Sequence, residues 1–391
     1  MSWTPVLRPI AETHPSRPLV VVLGPDSPDL DVAGARLGAD RCPWLADALT
    51  ALVVGWDLGT PELGPPALVT GTTWMTAVRR LLLTAIGDQQ AVVLSGPIWQ
   101  LMYARRVFPD ATLVLVHPPG HNPEWDERVD ELRRDTDVVV DLTDSDWPSQ
   151  LPSPQAADRV AAGPGTLGDG LLIVLGRARS GTTWLHRLLC ASPDVSGPPL
   201  GETSLFRMLR PLWDQRQDPA VVAGMRAFVK EVLLDPFAGA RVVCEKTPAH
   251  IRDIPMIREL LPDAAFVHIV RDGRDVALSL LAVTGETDLR AAGQAWARGV
   301  EQITADLSGA PRQLAVRYED LLDAPEETLR RIWSNLGVAP GDLSDRVREQ
   351  VTPLASDRAP GTARWRELSR ADLKALTDGC GKTLRTWGYR T

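Results

Sequence analysis

The residues with the clearest chemical potential form an eight-residue segment, Gly176-Arg177-Ala178-Arg179-Ser180-Gly181-Thr182-Thr183. It lies between an apolar run that is typical of a buried strand and a helical pattern that begins at Trp184. Successive backbone N–H groups at such a junction concentrate positive potential on an anion. The second glycine lets the backbone approach closely, the hydroxyl side chains add donors, and Arg179 adds a cation. The segment therefore predicts a site for a phosphate-like group.

A second candidate anion site follows the apolar run 266–270 and begins with Arg271. This arginine would project from the carboxyl end of a strand, which is the usual ligand edge of a parallel sheet. Ser279 comes eight residues later, about two turns into a predicted helix. Together the two side chains can clamp one phosphate, with the arginine supplying a bidentate fork. The competing interpretation is a solvated turn with internal salt bridges over 271–275.

The first segment is similar to a Walker A phosphate-binding loop, but Thr182 stands where that loop has its lysine. This difference disfavours a nucleotide-dependent, kinase-like P-loop enzyme, which is the alternative enzymatic interpretation. With its cation at Arg179 and its continuation into Trp184, the segment instead resembles the 5′-phosphosulfate loop of sulfotransferases that use 3′-phosphoadenosine-5′-phosphosulfate (PAPS). The segment 266–279 looks like the 3′-phosphate-binding segment of the same family.

Three further stretches, 245–248, 317–321 and 361–366, resemble motifs of that family, so the resemblance extends over residues 170–390. It implies that Lys246 approaches the transferring sulfuryl group and that Tyr318 lies near the nucleotide. It also implies that Arg364 belongs to a loop that closes over the 3′-phosphate. The residues expected to bind PAPS are Arg179, Ser180, Gly181, Thr182, Thr183, Trp184, Arg271, Ser279, Tyr318 and Arg364.

The same resemblance implies transfer of the sulfuryl group from PAPS to an acceptor hydroxyl by in-line displacement, leaving adenosine 3′,5′-bisphosphate and requiring no metal. Arg179 and Lys246 would stabilise the charge that develops on the leaving phosphate. Glu202 looks like the glutamate general base of the protein-tyrosine and related bacterial branch, and would take the acceptor proton. A solvent-facing carboxylate near a helix start is the alternative interpretation of Glu202.

Two other residues stay open as candidates for the base. The histidine base of cytosolic sulfotransferases has no counterpart here, because Pro248 occupies its position. His250 is shifted by two residues, and Glu245 precedes the lysine. His186 and His268 are interpreted as packing residues on a helix and a strand.

The elements that must position these residues are short apolar runs alternating with helical patterns. Runs of this kind, bounded by turn residues, suit buried parallel strands. The predicted strands are 19–24, 91–94, 112–116, 138–140, 171–176, 241–244 and 265–270. Their alternation with helices such as 184–189 and 225–234 predicts an α/β fold, with a P-loop-like doubly wound parallel sheet flanked by helices.

The Pro-, Ala- and Gly-rich stretch 151–168 is interpreted as a linker between domains 1–150 and 169–391. Three segments of the first domain match segments of the second at an offset of about 152 residues, so we expect it to be a degenerate duplicate of the catalytic domain. The anion-binding residues do not repeat. Residues 71–74 have the same sequence as residues 181–184, but their offset does not fit the repeat. They are interpreted as a Thr-capped helix start. The first domain would then have a structural, acceptor-positioning or dimer-forming role, the last giving a homodimer.

Composition narrows the possible partners and the cellular location of the protein. The net charge is −8, and residues 1–160 carry 12 arginines, no lysine and 21 acidic residues, which argues against a nucleic-acid partner. No apolar run is long enough to span a membrane, and no signal peptide is expected. The four cysteines are far apart in sequence and are expected to be thiols in a reducing compartment, which favours a cytoplasmic protein without a metal site. The acceptor is predicted only as a small molecule, sugar or peptide that bears a hydroxyl. A P-loop module that binds a nucleotide without catalysis is the remaining alternative.

Overall fold

The computed structural model divides the chain into two compact units, which are described separately. It describes residues 19–39, 41–54, 71–87, 89–101, 103–108, 111–116, 129, 132–133, 136–140, 142, 147–151, 170–192, 194–198, 202–336 and 363–391. The first unit contains the described residues up to 54 and from 82 to 151. The second contains residues 71–81 together with the described residues from 170 onward. The sequence placed 71–81 in the first domain, and the predicted linker lies almost wholly outside the described residues.

The first unit is built on a four-stranded parallel sheet with the strand order β2-β1-β3-β4. Its strands are β1 Val20–Gly24, β2 Ala91–Ser95, β3 Thr112–Val116 and β4 Val138–Val140. Its helices are α1 Pro28–Arg36, α2 Pro43–Leu49, the C-terminal part of α3 Gly71–Ile86, α4 Ile98–Leu101 and α5 Ala104–Val107. The central strand β1 is buried along its whole length, as a parallel strand covered on both faces must be.

The second unit contains a five-stranded parallel sheet with the order β6-β7-β5-β8-β9. Its strands are β5 Leu171–Leu175, β6 Val195–Ser196, β7 Val242–Glu245, β8 Ala265–Val270 and β9 Gln313–Arg317. Its longer helices are α6 Thr182–Leu189, α7 Leu205–Trp213, α8 Pro219–Val229, α9 Ile254–Leu260, α10 Gly273–Thr284, α11 Leu289–Leu307, α12 Tyr318–Asp323, α13 Pro325–Leu336 and α14 Arg370–Thr386. Single turns of other helix types lie at Lys230–Leu234, Pro248–Arg252 and Arg364–Glu367.

Helices cover both faces of the second sheet. Leu185 of α6 and Trp333 of α13 belong to one hydrophobic cluster with alternate residues of β5 and β8. Trp296 of α11 and Leu384 of α14 belong to another cluster, with Val270. Because successive side chains of a strand point to opposite faces, the two clusters form the two cores of a three-layer structure. The predicted α/β class with parallel sheets and flanking helices is confirmed.

The predicted strands all occur, within one or two residues of their expected bounds. The helix predicted for 225–234 is divided, because α8 ends at Val229 and a wider turn continues to Leu234. The copied letters at residues 71–74 do begin a helix, α3, although the side chains of 71–73 lie outside the described residues. No helix in the described part of the chain combines the length and the apolar composition needed to cross a membrane.

Candidate functional site

The loop 176–181 joins β5 to α6 at the carboxyl edge of the second sheet. Gly181 forms the N-cap of α6 with a left-handed φ of 92°. A Cβ atom at this position would lie 2.5 Å from the Tyr318 ring, so both the backbone angle and the space require glycine. Ser180 is 1% exposed, and its Oγ has no hydrogen-bond partner among the described residues. A buried hydroxyl of this kind is suited to donate to a bound ligand.

Two arginines connect the loop with the segment 266–279, the second predicted anion site. Arg179 Nε donates a hydrogen bond of 2.9 Å to Ser279 Oγ on α10. Arg271 Nη1 donates to the backbone oxygen of Arg179 at 3.4 Å, and its guanidinium lies 4.5 Å from the centre of the Tyr318 ring. The structure therefore brings four of the predicted binding residues together: Arg179, Arg271, Ser279 and Tyr318.

Aromatic rings form one wall of this site. Tyr318 is mostly buried at the start of α12 and contacts Trp184 edge to face, with 5.4 Å between the ring centres. Burial raises the pKa of the Tyr318 hydroxyl, so the ring stays neutral at physiological pH. The Tyr318 ring under the guanidinium and the hydrogen bond to the Arg179 backbone help to fix the position of Arg271.

The backbone on both sides of Arg271 is held by residues that sequence reasoning did not assign. Glu319 Oε1 accepts a hydrogen bond of 3.0 Å from the Asp272 N–H, and Glu319 Oε2 accepts one of 2.7 Å from the Tyr389 hydroxyl. The same hydroxyl lies 3.4 Å from the backbone oxygen of Val270. Glu319 belongs to the motif from which only Tyr318 was assigned, whereas the position of Tyr389 in the sequence carries no signal of this role.

The backbone N–H of Arg364 is hydrogen-bonded to helix α10, which also carries Ser279. The Asp275 carboxylate accepts hydrogen bonds from the N–H groups of Ala363 and Arg364 at 2.8 and 3.0 Å. Beside it, the Arg274 guanidinium stacks 3.6 Å from the centre of the Trp365 ring. The turn 363–367 is thereby tied to the first turn of α10, while Gly361 and Thr362 of the predicted loop lie outside the described residues.

Lys246, directly after β7, lies between the loop and Glu202. Its ammonium donates to Thr183 Oγ1 at 3.0 Å and forms an ion pair with Glu202 Oε1. The lysine side chain is 1% exposed, whereas the Glu202 side chain is 46% exposed. The three predicted residues thus form a chain from the N-terminus of α6 to a solvent-accessible carboxylate.

The other two candidate bases are buried in a separate network. Glu245 and His250 are both fully buried, and His250 Nε2 lies 3.1 Å from Glu245 Oε1. Glu245 Oε1 also accepts hydrogen bonds from the Thr203 and Thr247 hydroxyls. Burial opposes the ionised carboxylate, but His250 and these hydroxyls lower the pKa of Glu245 below its ordinary value. Burial likewise opposes the imidazolium, but Glu245 raises the pKa of His250 to about 9.

The ion pair of Glu245 and His250 has a structural consequence for Glu202. Besides its hydroxyl, the backbone N–H of Thr203 donates a hydrogen bond of 3.2 Å to Glu245 Oε1. These two bonds fix the residue next to Glu202. Neither Glu245 nor His250 is exposed to receive a proton from an acceptor. This geometry favours Glu202 over both alternatives.

The two histidines predicted to be packing residues, His186 and His268, are both buried. His186 Nε2 lies 3.2 Å from the backbone oxygen of Cys244. His268 contacts the edge of Trp387, and burial lowers the pKa of His268 to about 3.

Comparisons with known proteins match this unit. Residues 172–342 match the model of the Sulfotransferase family. A Caenorhabditis briggsae protein, named provisionally as a protein-tyrosine sulfotransferase, is 30% identical over 254 residues, covering 56% of this chain and 89% of the relative. Protein-tyrosine sulfotransferase 1 of Danio rerio is 28% identical over 188 residues, covering 43% of this chain and 53% of the relative. Protein-tyrosine sulfotransferase 2 of Gallus gallus is 29% identical over 193 residues, with coverages of 44% and 52%. The chain therefore spans about half the length of the last two relatives.

The buried ion pair predicts a pH dependence of stability. Because the pKa of His250 is raised to about 9 in the folded chain, the pair stabilises fully below the unfolded pKa of 6.5, and this stability is lost as pH rises through about 9. The loss is on the order of 3 kcal/mol. Urea unfolding between pH 7 and 10 should show this decline in the wild type and not in His250→Asn. His268→Asn is the matched control, since His268 is neutral throughout, and should keep the decline. An equal alkaline decline in all three proteins would contradict the assignment.

The contacts of Tyr389 predict the effect of removing its hydroxyl. Tyr389→Phe should lower the free energy of unfolding by about 1 kcal/mol, because Glu319 loses a buried donor. It should also speed hydrogen exchange at the Asp272 amide, which Glu319 then holds less firmly. Tyr103→Phe, in the first unit, should leave that amide unchanged. Unaltered exchange at Asp272 in Tyr389→Phe would mean that the hydroxyl does not support this segment.

Proposed function

The chain belongs to the sulfotransferase family, and we propose that its second unit transfers the sulfuryl group of PAPS to an acceptor hydroxyl, with Glu202 as the general base. The observation that carries the proposal is the position of the Lys246 ammonium. It contacts Thr183 at the phosphosulfate loop and Glu202 at the solvent-accessible side. One cation thus connects the place for the leaving phosphate with the place for the acceptor.

The residues around the loop fit a phosphosulfate group. The Ser180 hydroxyl is buried and unpartnered among the described residues, and the loop presents the N-terminus of α6. Arg271 and Ser279 are both hydrogen-bonded to Arg179 of the loop, and we assign them to the 3′-phosphate. When bound, PAPS supplies the sulfuryl group and a phosphate leaving group. Thr182, which opens α6 where a Walker A loop has lysine, supports this assignment over the kinase-like alternative.

The reaction is a displacement in which charges and protons balance. The acceptor oxygen forms a bond to sulfur while the bond between sulfur and the bridging phosphate oxygen breaks, and the electron pair stays on that oxygen. The acceptor proton moves to a Glu202 carboxylate oxygen. Lys246, Arg179 and the loop N–H groups are placed to stabilise the negative charge on the leaving phosphate.

The ion pair couples these two events. In the resting state the Lys246 charge is balanced by Glu202. Once Glu202 takes the acceptor proton it is neutral, and the buried ammonium needs a new negative partner. The leaving phosphate gains its charge at that moment. Proton removal therefore increases the electrostatic stabilisation available to the leaving group.

The acceptor is proposed as a hydroxyl compound that reaches Glu202 from solvent. Since the named relatives are protein-tyrosine sulfotransferases, the phenolic hydroxyl of a peptide tyrosine is the first acceptor to test. Small alcohols and sugars belong in the same panel, because the exposed carboxylate is open to any hydroxyl that fits.

We also propose that the first unit is a degenerate duplicate of the second. The order β2-β1-β3-β4 has the same sequence of connections as β7-β5-β8-β9. The glycines that end the central strands have matching surroundings. A Cβ on Gly24 would lie 2.5 Å from the backbone oxygen of Val116 and 2.9 Å from a Leu30 methyl carbon. On Gly176 it would lie 2.8 Å from the backbone oxygen of Ile269 and 2.9 Å from the Thr182 methyl carbon.

The loop after Gly24 lacks the chemistry of its counterpart. Asp26 lies in this loop and Asp29 and Asp31 in the first turn of α1, and the Arg41 side chain forms ion pairs with Asp26 and Asp31. Carboxylates at this position repel a phosphosulfate group. We infer that the chain binds one nucleotide, in the second unit.

The role of Glu202 predicts a specific kinetic loss. Glu202→Gln keeps the shape but cannot take the proton, so turnover should fall by about 10²- to 10⁴-fold, as for other general bases. Affinity for adenosine 3′,5′-bisphosphate should stay near that of the wild type. Glu259→Gln, an exposed glutamate on α9, is the control and should retain full turnover. Turnover is measured with labelled PAPS and an aliphatic alcohol acceptor, whose hydroxyl needs a base more than a phenol does. Near-normal turnover of Glu202→Gln would exclude it as the base.

The proposed nucleotide site predicts selective binding. Adenosine 3′,5′-bisphosphate should raise the melting temperature far more than ATP, without magnesium, and calorimetry should give one site per chain. Arg271→Ala should weaken this binding roughly tenfold to a hundredfold, the effect of losing charged hydrogen bonds. Arg330→Ala, exposed on α13, should bind as the wild type does. Equal binding of ATP would contradict the PAPS assignment. Two sites per chain would contradict the inference that the first unit binds no nucleotide.

A further inference from the structure

A cluster of soft metal-ligand side chains lies behind the candidate site and takes no part in the proposed reaction. His186, Cys190 and Cys244 each present one ligand atom, and the three atoms all lie within 4.8 Å of one another. His186 and Cys244 are buried, and Cys190 is half-buried. The cysteines are 54 positions apart, and the sequence offered no reason to group them.

Local structure explains the convergence. His186 lies in the last turn of α6, and Cys190 caps that helix, its N–H donating 2.9 Å to the His186 backbone oxygen. Residues four apart share one face of a helix. That face packs on β7, where Cys244 lies.

The distances suit a tetrahedral ion. Zinc bonds of about 2.3 Å to sulfur and 2.0–2.1 Å to nitrogen place sulfur and nitrogen ligands about 3.6 Å apart. Cys190 Sγ lies 3.5 Å from His186 Nε2. This pair already has the separation of two zinc ligands, and the second sulfur is within 4.8 Å of both atoms.

We propose that His186, Cys190 and Cys244 form a zinc site. Two thiolates and an imidazole are the donor set that zinc prefers, and they are unsuited to magnesium or calcium. Binding releases the two thiol protons. His186 Nε2 exchanges its contact with the Cys244 backbone oxygen for the ion, and the imidazole proton then resides on Nδ1. A water that enters beside half-buried Cys190 completes the tetrahedron.

The site would brace the residues that hold Lys246. Helix α6 begins with Thr182-Thr183, and the second of these contacts the lysine ammonium. Cys244 precedes Lys246 by two residues on the neighbouring strand. A metal bond between the end of α6 and β7 would therefore fix both elements. The proposed role of the ion is therefore structural.

The test uses the untagged full chain, reduced and stripped with a chelator. Zinc is titrated in competition with a chromophoric chelator, and Co²⁺ is used separately as a spectroscopic probe. We expect one ion per chain, thiolate-to-cobalt charge-transfer absorption, and a melting temperature that rises with zinc concentration. Cys190→Ser leaves one thiolate, so its charge-transfer band should fall to about half the intensity of the wild type, and it should bind zinc at least about tenfold more weakly.

Cys380→Ser is the matched control, because Cys380 is a buried thiol outside the cluster, and it should behave as the wild type does. If Cys190→Ser unfolds, the wild-type cobalt spectrum still decides the question. Absence of the charge-transfer band in the wild type, or equal zinc affinity in the wild type and a folded Cys190→Ser, would overturn the proposal.

Discussion

The buried ammonium of Lys246 is the constraint around which the second unit is arranged. A charge that is taken out of water must be paired and hydrogen-bonded. Its partners come from separate parts of the chain, Thr183 from the helix after β5 and Glu202 from the segment before α7. The parallel sheet makes this possible, because β5 and β7 are neighbours and both end at the same edge. The Glu245–His250 pair beneath then fixes the residue adjoining Glu202.

A second set of contacts supports the arginine on the other side of the loop. Arg271 lies at the end of a central strand, but its flanking peptide groups are held by Glu319 and by Tyr389, the third residue from the end of the chain. Tyr389 lies just after helix α14, so the segment that follows this helix contacts the carboxyl edge of the sheet.

Much of this arrangement could be predicted, because each predicted strand is a continuous apolar run and the loop combines glycine, hydroxyl and cationic residues in a short segment. Tyr389 and the convergence of Cys190 with Cys244 could not, since contacts between distant residues leave no periodic trace in a single sequence. The wide turn after α8 was missed for a different reason, because helical and π-type turns have the same apolar spacing over five residues. The prediction assigned residues 71–81 to the first domain from their order in the chain. Sequence order alone does not show which element a helix packs against. Trp74 in fact contacts Phe228.

The matched surroundings of Gly24 and Gly176 have a consequence for protein engineering. In each unit the strand-end glycine is dictated by a backbone oxygen of the adjacent strand and a side chain of the following helix, so the requirement belongs to folding and is independent of ligand chemistry. The residues that follow differ between the units, and in the first unit they include Asp26, Asp29 and Asp31. A graft of residues 177–183 onto the first sheet would therefore meet a strand-end glycine with the same kinds of neighbour, and it would replace the carboxylates of 26–31 together with their ion pairs to Arg41.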